Sequence, residues 1–87
     1  MEVDNILEEV KFYIMNRRYD EAEKLLKEAL KRYPDDEDLL YNLGLVYELR
    51  AENRKAMDIY RRIVDISSGG RRRSDALKRM RKLEGTV

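Results

Sequence analysis

The sequence contains no cysteine and no histidine among its 87 residues. The absence of cysteine excludes disulfide bonds, iron–sulfur clusters and thiolate zinc sites, and it agrees with a reducing compartment, so we expect a cytoplasmic protein. The absence of histidine removes the commonest metal ligand and the commonest general base. One proline and four glycines exclude a collagen-like chain and a disordered chain rich in these residues. We therefore predict a non-enzyme without a cofactor or a metal.

Long hydrophobic runs are also missing. No apolar stretch reaches the length of about 18 residues that a transmembrane helix needs, and the N-terminus lacks the basic-then-apolar order of a signal peptide. We therefore expect no membrane partner. The chain is shorter than the usual domain of roughly 100–150 residues, so residues 1–87 are predicted to form a single domain.

The net charge of +1 conceals a division between the two halves of the chain. Residues 1–48 contain 7 Lys or Arg and 13 Asp or Glu, whereas residues 49–87 contain 12 and 5. One end of the molecule should therefore repel what the other attracts. Solvated helix faces that happen to segregate by charge would give the same pattern.

Apolar residues recur at offsets of three and four through most of the chain, which is the spacing of one face of an α-helix. Interruptions at residues 16–18, at Pro34, at residues 51–53 and at Gly69-Gly70 divide the chain into five helical segments. Asp20, one acid of the run 35–38, and Ser74 are predicted to be N-caps. No segment alternates strictly between apolar and polar residues, so the predicted fold class is all-α.

The chain resembles itself when it is shifted by 34 residues. Tyr13 then falls on Tyr47 and Ala22 on Ala56, and apolar or small residues align at several other positions. A small residue early in the second helix of a pair allows the two helices to approach closely. The shift therefore predicts two similar helix pairs.

These residues resemble the tetratricopeptide repeat family, whose 34-residue unit carries W-x2-L-G-x2-Y, A-x3-F and a final proline. The second unit contains Leu43-Gly44-x2-Tyr47 and then Ala56-x3-Tyr60, with Leu40 in place of the tryptophan. The first unit lacks the Leu-Gly pair. The resemblance implies a right-handed α-solenoid with repeats at 3–36 and 37–70. Residues 71–84 would then form a capping helix with one apolar and one polar face.

The resemblance also implies that the chain is an adaptor or scaffold that binds a peptide or partner helix in a concave groove. The residues expected to line that groove are Leu7, Lys11, Ile14, Tyr41, Asn42, Leu45, Glu48, Arg72 and Arg79. Co-chaperone members of the family grip a C-terminal carboxylate with a clamp of two Lys, two Asn and one Arg. Only Asn42 and Arg72 fit that clamp, so this ligand class is disfavoured.

Several alternatives stay open. Leu7, Tyr41 and Leu45 either form the groove or pack internally. Residues 71–82 contain seven basic residues, which would suit nucleic acid, but no aromatic residue beyond Tyr60 offers a stacking platform, so this partner is disfavoured. A purely structural repeat fragment is a third interpretation. We also predict weak, salt-sensitive, head-to-tail self-association, with Val3, Ile6 and Phe12 uncovered at the N-terminal end.

Overall fold

The computed structural model describes residues 2–85 and contains five helices. They are α1 Glu2–Met15, α2 Tyr19–Arg32, α3 Glu37–Leu49, α4 Asn53–Ile66 and α5 Arg71–Glu84. Residues 2–85 contain no β-strand, which confirms the predicted all-α class. Consecutive helices pack against each other, and α3 also packs against α1 and α5. Contacts between near neighbours along the chain are characteristic of a linear repeat array.

The turn between α1 and α2 has the same conformation as the turn between α3 and α4. Each contains one residue in the left-handed region, Arg17 at φ 59° and Ala51 at φ 61°. The next residue donates its backbone N–H to the carbonyl oxygen of Tyr13 in the first turn and of Tyr47 in the second, at 2.8 Å in both. These pairs are 34 positions apart, so the backbone hydrogen bonds repeat with the same period as the sequence.

Helix α3 begins with the side-chain cap that its acidic run predicts. The Asp36 carboxylate accepts a hydrogen bond from the backbone N–H of Leu39 at 2.9 Å, which satisfies one donor at the helix start. The prediction for α2 was wrong. That helix begins one residue before Asp20, and Arg18 occupies the cap position without a side-chain hydrogen bond. Asp20 lies in the first turn, where a negative charge still opposes the helix dipole favourably.

The predicted cap of α5 was also wrong. Helix α5 begins at Arg71, so Ser74 is its fourth residue, and Gly70 occupies the cap position. Gly69 and Gly70 have φ values of 130° and 102°, a range that residues with a Cβ rarely adopt. The glycine pair therefore turns the chain into the helix four residues earlier than a cap at Ser74 would.

The hydrophobic core runs between the helix layers. Tyr60, Leu26, Leu39, Ile63, Val10 and Val46 are its largest fully buried side chains. Gly44 lies directly against the ring of Tyr60, where a Cβ atom would stand 2.4 Å from Cε1. The Leu-Gly pair of the motif therefore provides room for a large aromatic side chain from α4.

The predicted exposure at the N-terminal end holds only in part. Val3 is buried, and Ile6 is partly buried against the core, so the expectation for Val3 was wrong. Val3 belongs to the buried hydrophobic cluster that forms the core. Phe12, by contrast, is 58% exposed.

Candidate binding groove

An open cavity of about 380 Å³ lies between α1 and α3. Its apolar lining comes from Leu7, Ile14 and Met15 on α1 and from Leu45 on α3. Leu7 and Ile14 share one face of α1, because residues seven apart on a helix occupy the same face. Leu7, Ile14 and Leu45 are partly buried, whereas Met15 is 74% exposed. The cavity therefore has an apolar floor that is open to solvent.

Six of the nine predicted groove residues line this one cavity. They are Leu7, Lys11, Ile14, Asn42, Leu45 and Arg72. The other three, Tyr41, Glu48 and Arg79, lie outside its lining and make contacts within the protein.

Tyr41 packs internally. Its ring lies 5.9 Å from the Tyr60 ring, centroid to centroid. The guanidinium of Arg72 also lies over the Tyr41 ring, 4.5 Å from its centroid, which is within the range of a cation–π interaction. Tyr41 therefore supports the wall of the groove beside Arg72, and only part of its side chain is exposed.

Glu48 and Arg79 form an ion pair between α3 and α5. Arg79 Nε lies 3.0 Å from Glu48 Oε1, and the Tyr60 hydroxyl donates to the same oxygen at 2.7 Å. Burial raises the pKa of Glu48, but the hydrogen bonds from Arg79 and Tyr60 outweigh it, so the pKa is lowered overall. Burial and the neighbouring carboxylate together raise the pKa of Tyr60. These three groups satisfy one another and bind α5 to the second unit.

Arg72 is also engaged. Its Nε lies 2.6 Å from Asp38 Oδ1, and its Nη1 lies 3.2 Å from Asp75 Oδ2. Burial lowers the pKa of Arg72, and the hydrogen bond to Asp38 with the charges of both carboxylates raises it overall. With two carboxylates already beside it, Arg72 contributes little free positive charge to the groove.

Lys11 differs from both arginines. Its side chain lines the cavity and is exposed, and it forms no ion pair or hydrogen bond with any residue between 2 and 85. Asn42 stands across the cavity and donates from Nδ2 to the backbone oxygen of Asp38 at 2.9 Å. Beside its apolar floor the groove therefore offers two charged groups without a partner in the described chain, the Lys11 ammonium and the carboxylate of Glu8.

Sequence reasoning missed two lining residues, Glu8 and Met15. The 34-residue period would have found Glu8, which is equivalent to the predicted groove residue Asn42. Met15 has no predicted groove residue at its equivalent position.

A model of the tetratricopeptide repeat family matches residues 13–71, more than half of the chain. The chain belongs to the tetratricopeptide repeat family. Repeats of this family are non-catalytic and generally mediate protein–protein interactions. The comparisons with curated proteins and with solved structures found no match.

The basic segment of this tetratricopeptide repeat protein is not a uniform positive surface. Arg72 and Arg79 pair with carboxylates, and Arg73 donates to the backbone oxygen of Val64 at 2.9 Å. Arg71 lies 3.9 Å from Asp75. The remaining cations, Lys78, Arg81 and Lys82, form no ion pairs within residues 2–85.

The tetratricopeptide layers bring no obvious metal ligands together. No group of three or more Asp or Glu side chains in the described part of the chain is placed to hold a metal ion. None of the helices between residues 2 and 85 combines the length and the apolar character that crossing a membrane requires.

Proposed function

We propose that this protein is a non-catalytic cytoplasmic adaptor whose groove binds an amphipathic helix of a partner protein. The observation that supports the proposal is the cavity between α1 and α3, where Leu7, Ile14 and Leu45 are left only partly buried beside the unpaired Lys11. Apolar side chains of a partner would cover these three side chains and remove them from water. Burial of this kind is favourable by about 25 cal/mol per Å² of apolar surface.

The arrangement favours a helix with one acidic residue on its apolar face. Leu7 and Ile14 lie two helical turns apart along α1, a spacing that a partner helix matches with apolar residues at i, i+3 or i+4, and i+7. A carboxylate between these residues would meet the Lys11 ammonium and form a charge-assisted hydrogen bond.

The affinity should be modest. The cavity of about 380 Å³ is near the lower end of the range for ligand sites, about 300–1,000 Å³. Contacts on this scale are typical of transient complexes. We therefore expect a dissociation constant on the order of micromolar, about −8 kcal/mol.

The experiment is a selection from a displayed library of helical peptides with the wild-type protein as bait. Enriched peptides should share apolar residues at helical spacing and an Asp or Glu among them. Leu45→Ser should weaken binding of an enriched peptide by about tenfold or more, which corresponds to about 1.4 kcal/mol. Lys11→Gln should weaken it less and should reduce its salt dependence.

Two matched variants serve as controls. Leu49→Ser changes an exposed leucine of the same helix outside the cavity, and Lys24→Gln removes an exposed lysine on α2. Both should bind as wild type does. Failure to enrich any peptide, or equal binding by all four variants, would overturn the groove proposal and favour a purely structural repeat. Enrichment of RNA with a steep salt dependence would favour the basic segment instead.

A further inference from the structure

The two ends of the helix array differ in charge. Helix α1 contains four acidic residues and one basic residue, whereas α5 contains seven basic residues and two acidic ones. Both helices pack against α3, and within residues 2–85 they do not pack against each other. The acidic and basic helices therefore face away from one another at opposite ends of the molecule.

The acidic end carries an exposed aromatic ring. Phe12 is 58% exposed and makes an edge contact with the ring of Tyr13. Val46, which occupies the equivalent position 34 residues later in α3, is fully buried. Helix α3 packs against both α1 and α2, whereas no described helix stands before α1. Phe12 therefore occupies a position that the repeat architecture covers when another unit precedes it.

The basic end carries an open cavity of about 350 Å³ between α4 and the end of α5. Met57 and Leu83 supply its apolar surface, and Arg54 and Arg61 line it together with Asp58 and Glu84. The charges of these four side chains balance.

The excess positive charge at this end comes from α5. Lys78 and Arg81 are partnered by no carboxylate in the described chain. Glu8 and Glu9, which precede Phe12 by one helical turn, are likewise without ion pairs inside residues 2–85. Each end of the molecule thus offers an apolar contact and, on the same helix, exposed charges of one sign without a partner in the described chain.

We propose that the protein self-associates head to tail, with Phe12 of one copy in the Met57–Leu83 cavity of a second copy. Glu8 and Glu9 of the first copy would then face Lys78 and Arg81 of the second. Glu8 also lines the groove between α1 and α3, whereas Glu9 and Phe12 lie outside it, so the inference does not depend on the proposed function.

The contact is heterologous, because the two surfaces that meet are different. It therefore leaves one free Phe12 end and one free cavity end on every dimer, and short chains grow with concentration unless the rotation closes a ring. Exposed ion pairs contribute about 0–1 kcal/mol each and are screened beyond about 8–10 Å in physiological salt. The association should accordingly be weak and sensitive to salt.

Sedimentation velocity on the full chain tests the proposal. The wild-type sedimentation coefficient should rise with protein concentration in about 20 mM salt, where the Debye length exceeds about 20 Å, and this rise should largely disappear in about 0.5 M salt. The acidic end is blocked by Glu9→Lys with Phe12→Lys, and the basic end by Lys78→Glu with Arg81→Glu. All four side chains are exposed.

Each blocked variant alone should stay monomeric, because every contact needs one intact end of each kind. An equimolar mixture of the two should form a dimer and nothing larger, through the one intact end that each variant retains. The matched control, Arg17→Glu with Lys31→Glu, makes the same change in net charge as the basic-end variant at two exposed positions away from both surfaces. It should associate as the wild type does.

Three results would overturn the proposal. The first is a wild-type protein that stays monomeric at millimolar concentration in low salt. The second is a mixture of the two blocked variants that fails to dimerise, although each variant keeps the wild-type thermal unfolding curve. A symmetric contact would give this result, because it needs the same intact surface on both copies. The third is a control variant that loses association as completely as the blocked ones.

Discussion

Two seams between helices occupy equivalent places in the repeat but differ in chemistry. Between α1 and α3, Ile14 and Leu45 line an open apolar cavity. Between α3 and α5, the positions 34 residues later hold Glu48 and Arg79, which form an ion pair. One backbone arrangement therefore supports an open apolar seam and a closed ionic seam. Only the open seam has surface left over for a partner, which is why the proposed groove belongs to α1 and α3.

The cores of the two units differ in a similar way. Val10 and Leu26 in the first unit are equivalent to Gly44 and Tyr60 in the second, and the side chains of Val10, Leu26 and Tyr60 are fully buried. The second unit combines the smallest residue with a large one, whereas the first combines two of medium size. Close packing at native density requires that such changes compensate for each other.

The largest expected effect comes from exchanging these core pairs. Gly44→Val places a Cβ 2.4 Å from the Tyr60 ring, and we expect it to lower the free energy of unfolding by about 3 kcal/mol. Tyr60→Leu should lower the free energy of unfolding by about 2 kcal/mol, because the smaller side chain leaves a cavity. The double variant reproduces the Val–Leu pair of the first unit. Its loss of unfolding free energy should therefore be at least about 1 kcal/mol smaller than the sum of the losses of the two single variants. Urea unfolding of the four proteins measures this coupling, and simple additivity would show that the two positions do not compensate.

The next effect comes from breaking the ionic seam. Arg79→Leu leaves the Glu48 carboxylate, whose side chain is only 11% exposed, without its arginine, and the expected loss of unfolding free energy is about 1–3 kcal/mol. Adding Glu48→Ile gives this seam the apolar chemistry of the seam between α1 and α3. Tyr60→Phe is added as well, because the Tyr60 hydroxyl would otherwise lose Glu48 as its hydrogen-bond acceptor. That triple variant should regain about half of the loss or more.

Arg62→Leu provides the control for this series. Arg62 lies 3.0 Å from Asp35, and both side chains are largely exposed, so its removal should change the unfolding free energy by less than about 1 kcal/mol. A control loss as large as that of Arg79→Leu would mean that burial of Glu48 does not decide the effect.

A further effect should follow from pH at the boundary between α2 and α3. Burial raises the pKa of Glu23, but hydrogen bonds from Lys27, Tyr47 and Arg50 outweigh it and lower the pKa from 4.5 to about 2. Because the folded-state pKa lies below the unfolded one, the stabilisation is complete above about pH 4.5 and is lost as the pH falls toward about 2. The boundary between α4 and α5 has Met57 at the position equivalent to Glu23, so it contributes no such dependence.

Unfolding curves across this pH range measure the Glu23 contribution. Glu23→Gln should reduce the dependence of the unfolding free energy on pH. The unfolding free energies of the variant and the wild type should be most alike at the lowest pH, where the Glu23 carboxylate is protonated. An unchanged pH dependence in the variant would assign the effect to other carboxylates.

The sequence predicted the five helices and the 34-residue period because periodic burial and breakers are local signals. It also placed six of the nine candidate groove residues at the cavity. It could not distinguish Lys11 from Arg72 and Arg79, because all three are cations on concave positions. Their difference depends on which carboxylates lie opposite, and Asp38 and Glu48 come from a different helix than either arginine. Such partners are set by tertiary packing, which a helical pattern does not encode.

The smallest effects concern the starts of α3 and α5, which lie at equivalent positions. Asp36 caps α3 with its side chain, and Gly70 stands at the same place before α5. Asp36→Ala should therefore lower the free energy of unfolding by about 1 kcal/mol. Ser74→Ala removes an exposed hydroxyl in the first turn of α5, where no cap is lost, so the change should stay within about 0.5 kcal/mol. Chemical denaturation separates the two variants, and a loss at Ser74 as large as that at Asp36 would contradict the assignment of Gly70 as the residue that begins α5.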